Sequence, residues 1–229
     1  KADEISIGDR IVHSRELKTE INVNIKGEIM KALLSKEGFY LKFNKEFCNE
    51  LKIIIRQSKI PLKSFTELSR HSLDFTFRRG TFRSIDMRRI ANIFEISPLK
   101  TYENIEYIVK RSPKGGNYST ENMWRAKNSN KMKLPQNFDD LFYLAGMMAG
   151  DGSDDKLVAG KPHLANIFIR ICTELGLKPY WRKYEGKCPE VVSGGGETFT
   201  SFLDMLFHYP KRKKSHNIII SEFLSKSPD

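Results

Sequence analysis

The stretch LFYLAGMMAGDGS, Leu141 to Ser153, joins an apolar helical pattern to one carboxylate, Asp151. Each glycine disfavours a helix by about 1 kcal/mol, so a helix rich in small residues needs a compensating contact. Such residues allow a second helix backbone to approach closely, and here they are Ala145, Gly146, Ala149 and Gly150. Asp151 would end the helix, where carbonyl groups already make the potential negative. A hard cation such as Mg²⁺, bound by Asp151, the Gly150 carbonyl, waters and a substrate phosphate, would offset that charge.

The second chemical signal is an excess of positive charge in one block of the chain. The formal net charge is +11, and residues 51–135 carry 18 Lys and Arg against 7 Asp and Glu. Localised charge of this size suits a polyanion, because each phosphate that is neutralised releases condensed counterions. A basic surface that serves solubility alone is the alternative.

Other classes of protein are disfavoured by the composition. No apolar run reaches the roughly 18 residues that a membrane span needs, and the N-terminus does not resemble a signal peptide. Three cysteines without a C-x-x-C pair, and five unclustered histidines, indicate a reducing compartment and no structural zinc. The expectation is a soluble, cytoplasmic protein without a membrane partner.

Inside the basic block, the spacing predicts three short helices. One spans Leu62 to Ser69 and the next spans Ser72 to Arg79, with Gly80 as its stop and Ser84 as the cap of the third. This pattern resembles the helix-turn-helix domains of phage repressors, whose second helix enters the major groove. The resemblance implies contacts with double-stranded DNA through Ser72, Asp74, Thr76, Arg78 and Arg79, with Arg83 on a phosphate. An ordinary helical bundle with solvated arginines is the alternative.

Along the chain, four regions are expected. Residues 1–25 form a small β unit, residues 26–97 are helical, residues 98–136 form a basic connector, and residues 137–229 form a separate unit. That last unit begins with a helix capped by Asn137 and continues as a short extended piece, a helix, a hairpin about Gly186 and a helix. The fold class is therefore α+β.

The segment LAGMMAGDG resembles the LAGLIDADG motif of homing endonucleases. Leu144, Gly146, Asp151 and Gly152 match the motif, as does Ala145, while Ala149 stands where the first acid usually lies. The resemblance implies an αββαββα-like endonuclease half with a shortened first hairpin over residues 153–163. It also implies a helix interface through Ala145, Gly146 and Ala149, and hydrolysis of DNA phosphodiesters with Mg²⁺ at Asp151.

Two downstream segments extend the same resemblance. YWRKYEG resembles the third strand of the family, which implies DNA contacts by Tyr180, Arg182 and Tyr184. KRKKSHNIII resembles the basic segment that carries a catalytic lysine, here Lys214, whose role would be to stabilise phosphorane charge or to orient water. Further DNA contacts are implied at Lys187, Lys211 and Arg212.

The N-terminal segment KADEISIGDRIV resembles the segment of inteins that leads out of the Hint splicing domain. The sequence thus predicts an intein-encoded, site-specific endonuclease unit that does not itself splice. Its second LAGLIDADG motif would come from a homodimer partner or from a truncated C-terminal part. The alternatives are a LAGLIDADG-descended DNA-binding protein that does not cut, and a repressor-like transcription factor.

Overall fold

The computed structural model describes residues 19–64, 66, 69–110, 131–158, 160–183 and 185–208. Helices and short antiparallel strands alternate through these ranges, which confirms the α+β class. Within the described ranges, no helix is both long and apolar enough to cross a bilayer.

The first half of the fold packs helices against a three-stranded sheet. Its elements are α1 (Thr19–Ser35), β1 (Phe39–Phe43), α2 (Lys45–Gln57), a 3₁₀ turn (Leu62–Ser64), α3 (Arg70–Arg79), β2 (Thr81–Arg83), α4 (Ser84–Ile93), α5 (Pro98–Glu103) and β3 (Ile105–Lys110). The strand order is β2-β1-β3, and both pairings are antiparallel. Because side chains alternate along a strand, Phe39, Leu41 and Phe43 point into the core while Tyr40 and Lys42 lie on the outer face.

Several expectations for this half are wrong. Residues 19–25 belong to α1 rather than to a β unit, and residues 1–18 lie outside the described ranges. The region expected to be helical, 26–97, also contains β1 and β2. The expected connector begins with α5 and β3, while residues 111–130, including Trp124, are outside the described part.

The helices α2 and α4 differ in how their N-termini are capped. Asn44 caps α2 by accepting a hydrogen bond from the Phe47 amide at 2.8 Å. Ser84 does not cap α4, because its hydroxyl donates to the Lys36 carbonyl oxygen at 2.5 Å and Arg83 occupies the cap position. The inner face of α4 buries Met87, Ile90 and Ala91.

The second half repeats a helix followed by two strands. Its elements are α6 (Phe138–Gly150), β4 (Gly152–Ser153), β5 (Lys156–Val158), α7 (Pro162–Glu174), β6 (Tyr180–Arg182), β7 (Glu190–Val192) and α8 (Gly196–Phe207). The strands form one antiparallel sheet in the order β4-β5-β7-β6. The order of elements agrees with the sequence pattern, and Asn137 caps α6 as expected by accepting a hydrogen bond from the Asp140 amide.

One hydrophobic cluster runs through both halves. In α8, Phe199 packs edge-on against Phe168 of α7 with ring centroids 6.2 Å apart, and the Thr198 hydroxyl accepts a hydrogen bond from the Lys110 amide of β3 at 2.9 Å. The buried Tyr102 hydroxyl donates to the Pro135 carbonyl oxygen, which joins α5 to the segment that precedes α6. These contacts hold the first sheet and its helices in a fixed relation to the second half.

An ion-pair cluster also joins α6 to α7. The Arg170 guanidinium donates to both Asp140 oxygens, at 2.6 and 2.7 Å, and to Glu174 at 2.9 Å. The hydrogen bonds from Arg170 hold the pKa of Asp140 below its ordinary value. The cluster therefore has a structural role, because it ties the first turn of α6 to the last turns of α7.

Candidate nucleic-acid interface

Helix α3 is defined sharply at both of its ends. The Ser69 hydroxyl caps the N-terminus by accepting a hydrogen bond from the Ser72 amide at 3.2 Å. Gly80 ends the helix in the left-handed region at φ 62°, and a Cβ there would lie 3.1 Å from the Phe43 carbonyl oxygen. Only glycine fits this position without strain, so the helix stops after Arg79.

The inner face of α3 fixes its orientation. Leu73 and Phe77 are buried, and the Phe77 ring packs edge-on against Phe82 of β2 with centroids 5.2 Å apart. Since side chains three and four residues apart share a helix face, the opposite side must face outward. Ser72, Phe75 and Arg78 are exposed on that outer side.

Contacts with neighbouring elements hold α3 in place. The Lys42 ammonium of β1 donates to the Arg79 carbonyl oxygen at 2.7 Å, which neutralises part of the negative potential at the helix C-terminus. Arg56, at the end of α2, lies 3.9 Å from Asp74. The helix is therefore presented to solvent as a preformed element, and the half-exposed Asp74 has a basic neighbour on α2.

Two adjacent arginines give the outer side of α3 its charge. Arg78 is exposed, and it forms no ion pair or hydrogen bond with any residue that the structure describes. The Arg79 guanidinium lies 4.0 Å from the centroid of the Phe75 ring, a cation–π contact. We call Ser72, Phe75, Arg78 and Arg79 the α3 outer face.

Phe75 is the residue of this face that the sequence pattern did not single out. Its side chain is 45% exposed, although it lies between two buried residues in sequence. The sequence could have indicated its exposure, because Phe75 lies three residues after Ser72 and four before Arg79, on the polar side of the helix.

Other residues predicted near DNA have contacts within the chain. The Thr76 hydroxyl donates to the Ser72 carbonyl oxygen at 2.9 Å. Arg83 donates to both oxygens of Asp86, at 2.6 and 3.0 Å, and the Asp86 side chain is 2% exposed. The Arg83 guanidinium therefore neutralises a buried carboxylate within the chain, and its contact with a phosphate stays a prediction.

The arrangement around α3 differs from the predicted helix-turn-helix. The helix expected over Leu62 to Ser69 is a single 3₁₀ turn over Leu62–Ser64, and residues 65, 67 and 68 are outside the described part. The helix that contacts α3 is α2, and the strand β2 separates α3 from α4. The exposed helix is where the pattern predicts it, in a different supersecondary setting.

The helix α6 places its small residues on different sides. Ala145 is 2% exposed and belongs to the core of this chain, so it does not form an exposed helix interface. Gly146 and Gly150 are exposed, and a Cβ at either position would meet no described atom within 4 Å. A contact of Gly146 and Ala149 with a second helix stays a prediction.

Asp151 is exposed at the end of α6, and its backbone is used within the chain. Its amide donates to the Met147 carbonyl oxygen, and its carbonyl oxygen accepts a hydrogen bond from Val158, both at 3.0 Å. Among the described residues, no three His, Cys, Asp or Glu side chains form a group that could hold a metal ion. Binding of Mg²⁺ by Asp151 and the Gly150 carbonyl, with waters and a substrate phosphate as the other ligands, stays a prediction.

Further predicted contacts lie on the second sheet. The Arg182 guanidinium of β6 donates to the Tyr180 hydroxyl at 3.0 Å, and both side chains are on the same face of the edge strand. Lys187 is exposed in the turn that follows. Tyr184, Lys211, Arg212 and Lys214 lie outside the described residues.

The sequence is similar to segments of two archaeal proteins. It is 28% identical over 233 residues to elongation factor 2 of Methanopyrus kandleri, a match that covers all of this chain and 17% of that protein. It is 31% identical over 100 residues to the probable translation initiation factor IF-2 of Methanocaldococcus jannaschii, which covers 42% of this chain and 9% of that protein. The chain thus spans less than one fifth of the length of either relative. No family model and no solved structure matches the chain.

These similarities contradict the resemblance on which the enzymatic prediction depended. Both relatives are named as translation factors, so the assignment to the LAGLIDADG homing endonucleases and to inteins is wrong. The predicted DNA hydrolysis, the non-cutting LAGLIDADG-descended protein and the repressor-like transcription factor are corrected with it, whereas duplex DNA as a ligand stays a prediction. Local packing accounts for part of the misleading motif: Ala145 lies in the core, and a Cβ at Gly152 would lie 2.6 Å from the Met148 backbone.

Proposed function

We propose that this chain is a segment of a translation-factor-type polypeptide and binds double-stranded nucleic acid through the α3 outer face. The names of the two relatives support the first part. The second part depends on one observation: a capped helix, held by β1, presents Arg78, Arg79 and Phe75 to solvent.

The charge around α3 supports a polyanionic ligand. Exposed basic side chains occur on α3, on α2, on the segment that follows α2 and on α4, and they are Arg56, Lys59, Lys63, Arg78 and Arg88. Each phosphate contact releases counterions and strengthens binding at low salt. A ligand with a regular phosphate backbone matches such a surface better than a protein with scattered acidic residues does.

The dimensions of α3 favour duplex DNA over duplex RNA. Ten residues make a helix of about 15 Å with a diameter of about 10–12 Å, which fits the B-form major groove of about 12 Å. The major groove of A-form RNA is deep and narrow, so a helix does not enter it. Binding to RNA is the second candidate, because the relatives are named as translation factors.

Nucleotide hydrolysis is not part of the proposal. The chain contains no Gly-x₄-Gly-Lys-Ser/Thr stretch, the loop whose backbone amides hold nucleotide phosphates in P-loop proteins. The proposed role of this segment is therefore binding alone.

Fluorescence anisotropy with matched duplexes tests the proposal. The probes are a labelled DNA duplex of about 30 base pairs and an RNA duplex of the same sequence, titrated between about 50 and 200 mM salt. We expect the DNA duplex to bind at least about ten-fold more tightly, with affinity that falls steeply as salt rises. Tighter binding to RNA would favour the second candidate, and binding to neither duplex at low salt would overturn the proposal.

A further inference from the structure

The exposed aromatic ring of Phe75 lies at the centre of a polar helix face. His71 and Ser72 precede it by one turn, Arg78 and Arg79 follow it by one turn, and all but the half-buried Arg79 are exposed. Nearly half of the Phe75 side chain is open to solvent, whereas Phe77, two residues later, is buried. The exposed part of the Phe75 ring therefore does not pack in the hydrophobic core of the chain.

The neighbouring arginine limits the positions that the ring can adopt. The Arg79 guanidinium lies 4.0 Å from the ring centroid, and the Arg79 carbonyl is held by Lys42. Stacking on a cation orders the ring before a ligand arrives, which lowers the entropic cost of binding. The remaining exposed surface of Phe75 is then presented in a defined direction, away from the core.

The B-form major groove offers one apolar group on its base edges, the C5-methyl of thymine. Among the base edges in that groove, the thymine methyl is therefore the group that an apolar phenyl ring can contact favourably. Resting on the proposed function, we infer that Phe75 contacts thymine methyl groups and gives the segment a preference for thymine in the DNA that it binds. Arg78 and Arg79, on the same face, bind the flanking phosphates or base edges.

A protein partner is the competing use of this ring. Ile53 and Ile60 are also exposed, at 55% and 38%, and an apolar partner would contact such residues together with Phe75. The two arginines of the α3 outer face favour the polyanion, because burying them against an apolar partner would cost desolvation.

Two duplexes that differ only in methyl groups test this inference. One alternates dA and dT, and the other alternates dA and dU, which keeps the charge and every hydrogen-bonding edge. We expect the unmodified chain to bind the thymine duplex about four-fold more tightly, the effect of burying roughly one methyl group. Phe75→Ala should bind both duplexes equally, whereas Phe75→Leu should keep part of the preference.

Ile53→Ala is the matched control, because it removes an exposed apolar side chain from α2 and should leave the thymine preference unchanged. Equal binding of the two duplexes by the unmodified chain would overturn the inference and leave the proposed function in place. A preference that survives in Phe75→Ala would also overturn it. Failure to bind either duplex would instead count against the proposed function itself.

Discussion

Replacing both Arg78 and Arg79 with alanine is expected to weaken binding to duplex DNA by about 100-fold at about 50 mM salt. Each arginine that neutralises a phosphate contributes to the salt dependence, so the slope of log K against log salt should fall by up to about two. Both residues are at the end of α3, and Arg78 has no partner among the described residues. Anisotropy titrations at several salt concentrations measure both quantities.

A charge-matched control distinguishes the effect of direct contacts by Arg78 and Arg79 on DNA affinity from the effect of net charge. Lys161 and Lys178 are exposed in the second half of the fold, and replacing both with alanine removes the same two positive charges. That variant should lose much less affinity, because these lysines lie outside the α3 outer face. Equal losses in the two double variants would show that binding follows overall charge and would remove the special role of α3.

The largest expected effect on stability is at Gly194, between β7 and α8. It adopts φ +76°, and a Cβ there would lie 2.3 Å from the Lys178 carbonyl oxygen. Backbone cannot move aside cheaply, so Gly194→Ala should lower the free energy of unfolding by roughly 4 kcal/mol. In thermal denaturation, this corresponds to a fall in the melting temperature of about 10 °C.

Gly186 provides the matched substitution. Its φ is +69°, but a Cβ there would meet nothing within 4 Å. Gly186→Ala therefore isolates the cost of the left-handed backbone, about 1 kcal/mol. Equal losses in the free energy of unfolding for the two variants would contradict a close approach of residue 194 to the Lys178 backbone.

Local signals allowed several elements to be predicted from the sequence. Asn137 begins α6 because its side chain accepts an amide hydrogen bond, and Gly80 ends α3 because it tolerates a positive φ. The strand β1 was missed, since its pairing with β3 joins Phe39 to Lys110 and no local pattern reveals a partner so distant in sequence. In residues 19–25, β-branched composition predicted strands, but the chain continues as the long helix α1, an example of context overriding propensity.

The candidate site was also predictable only in part, because some of its features depend on tertiary packing. The spacing identified Ser72, Arg78 and Arg79, because a polar stripe on a short helix is a local property. Phe75 could not be separated from the buried Phe77 by residue type, since its exposure depends on how α3 packs against β2. Likewise the pairing of Arg83 with the buried Asp86 depends on how the side chains pack around α4, and the residue types did not reveal it.

Photo-crosslinking from α3 tests the central claim most directly. A Ser72→Cys variant in a Cys188→Ser background can carry a thiol-linked photoprobe, because the two remaining cysteines, Cys48 and Cys172, are buried. The control is Thr173→Cys, an exposed position on α7. With a bound DNA duplex, we expect crosslinks to bases from position 72 and none from position 173. A duplex that binds the protein yet crosslinks equally from both positions, or only from position 173, would contradict the role of α3.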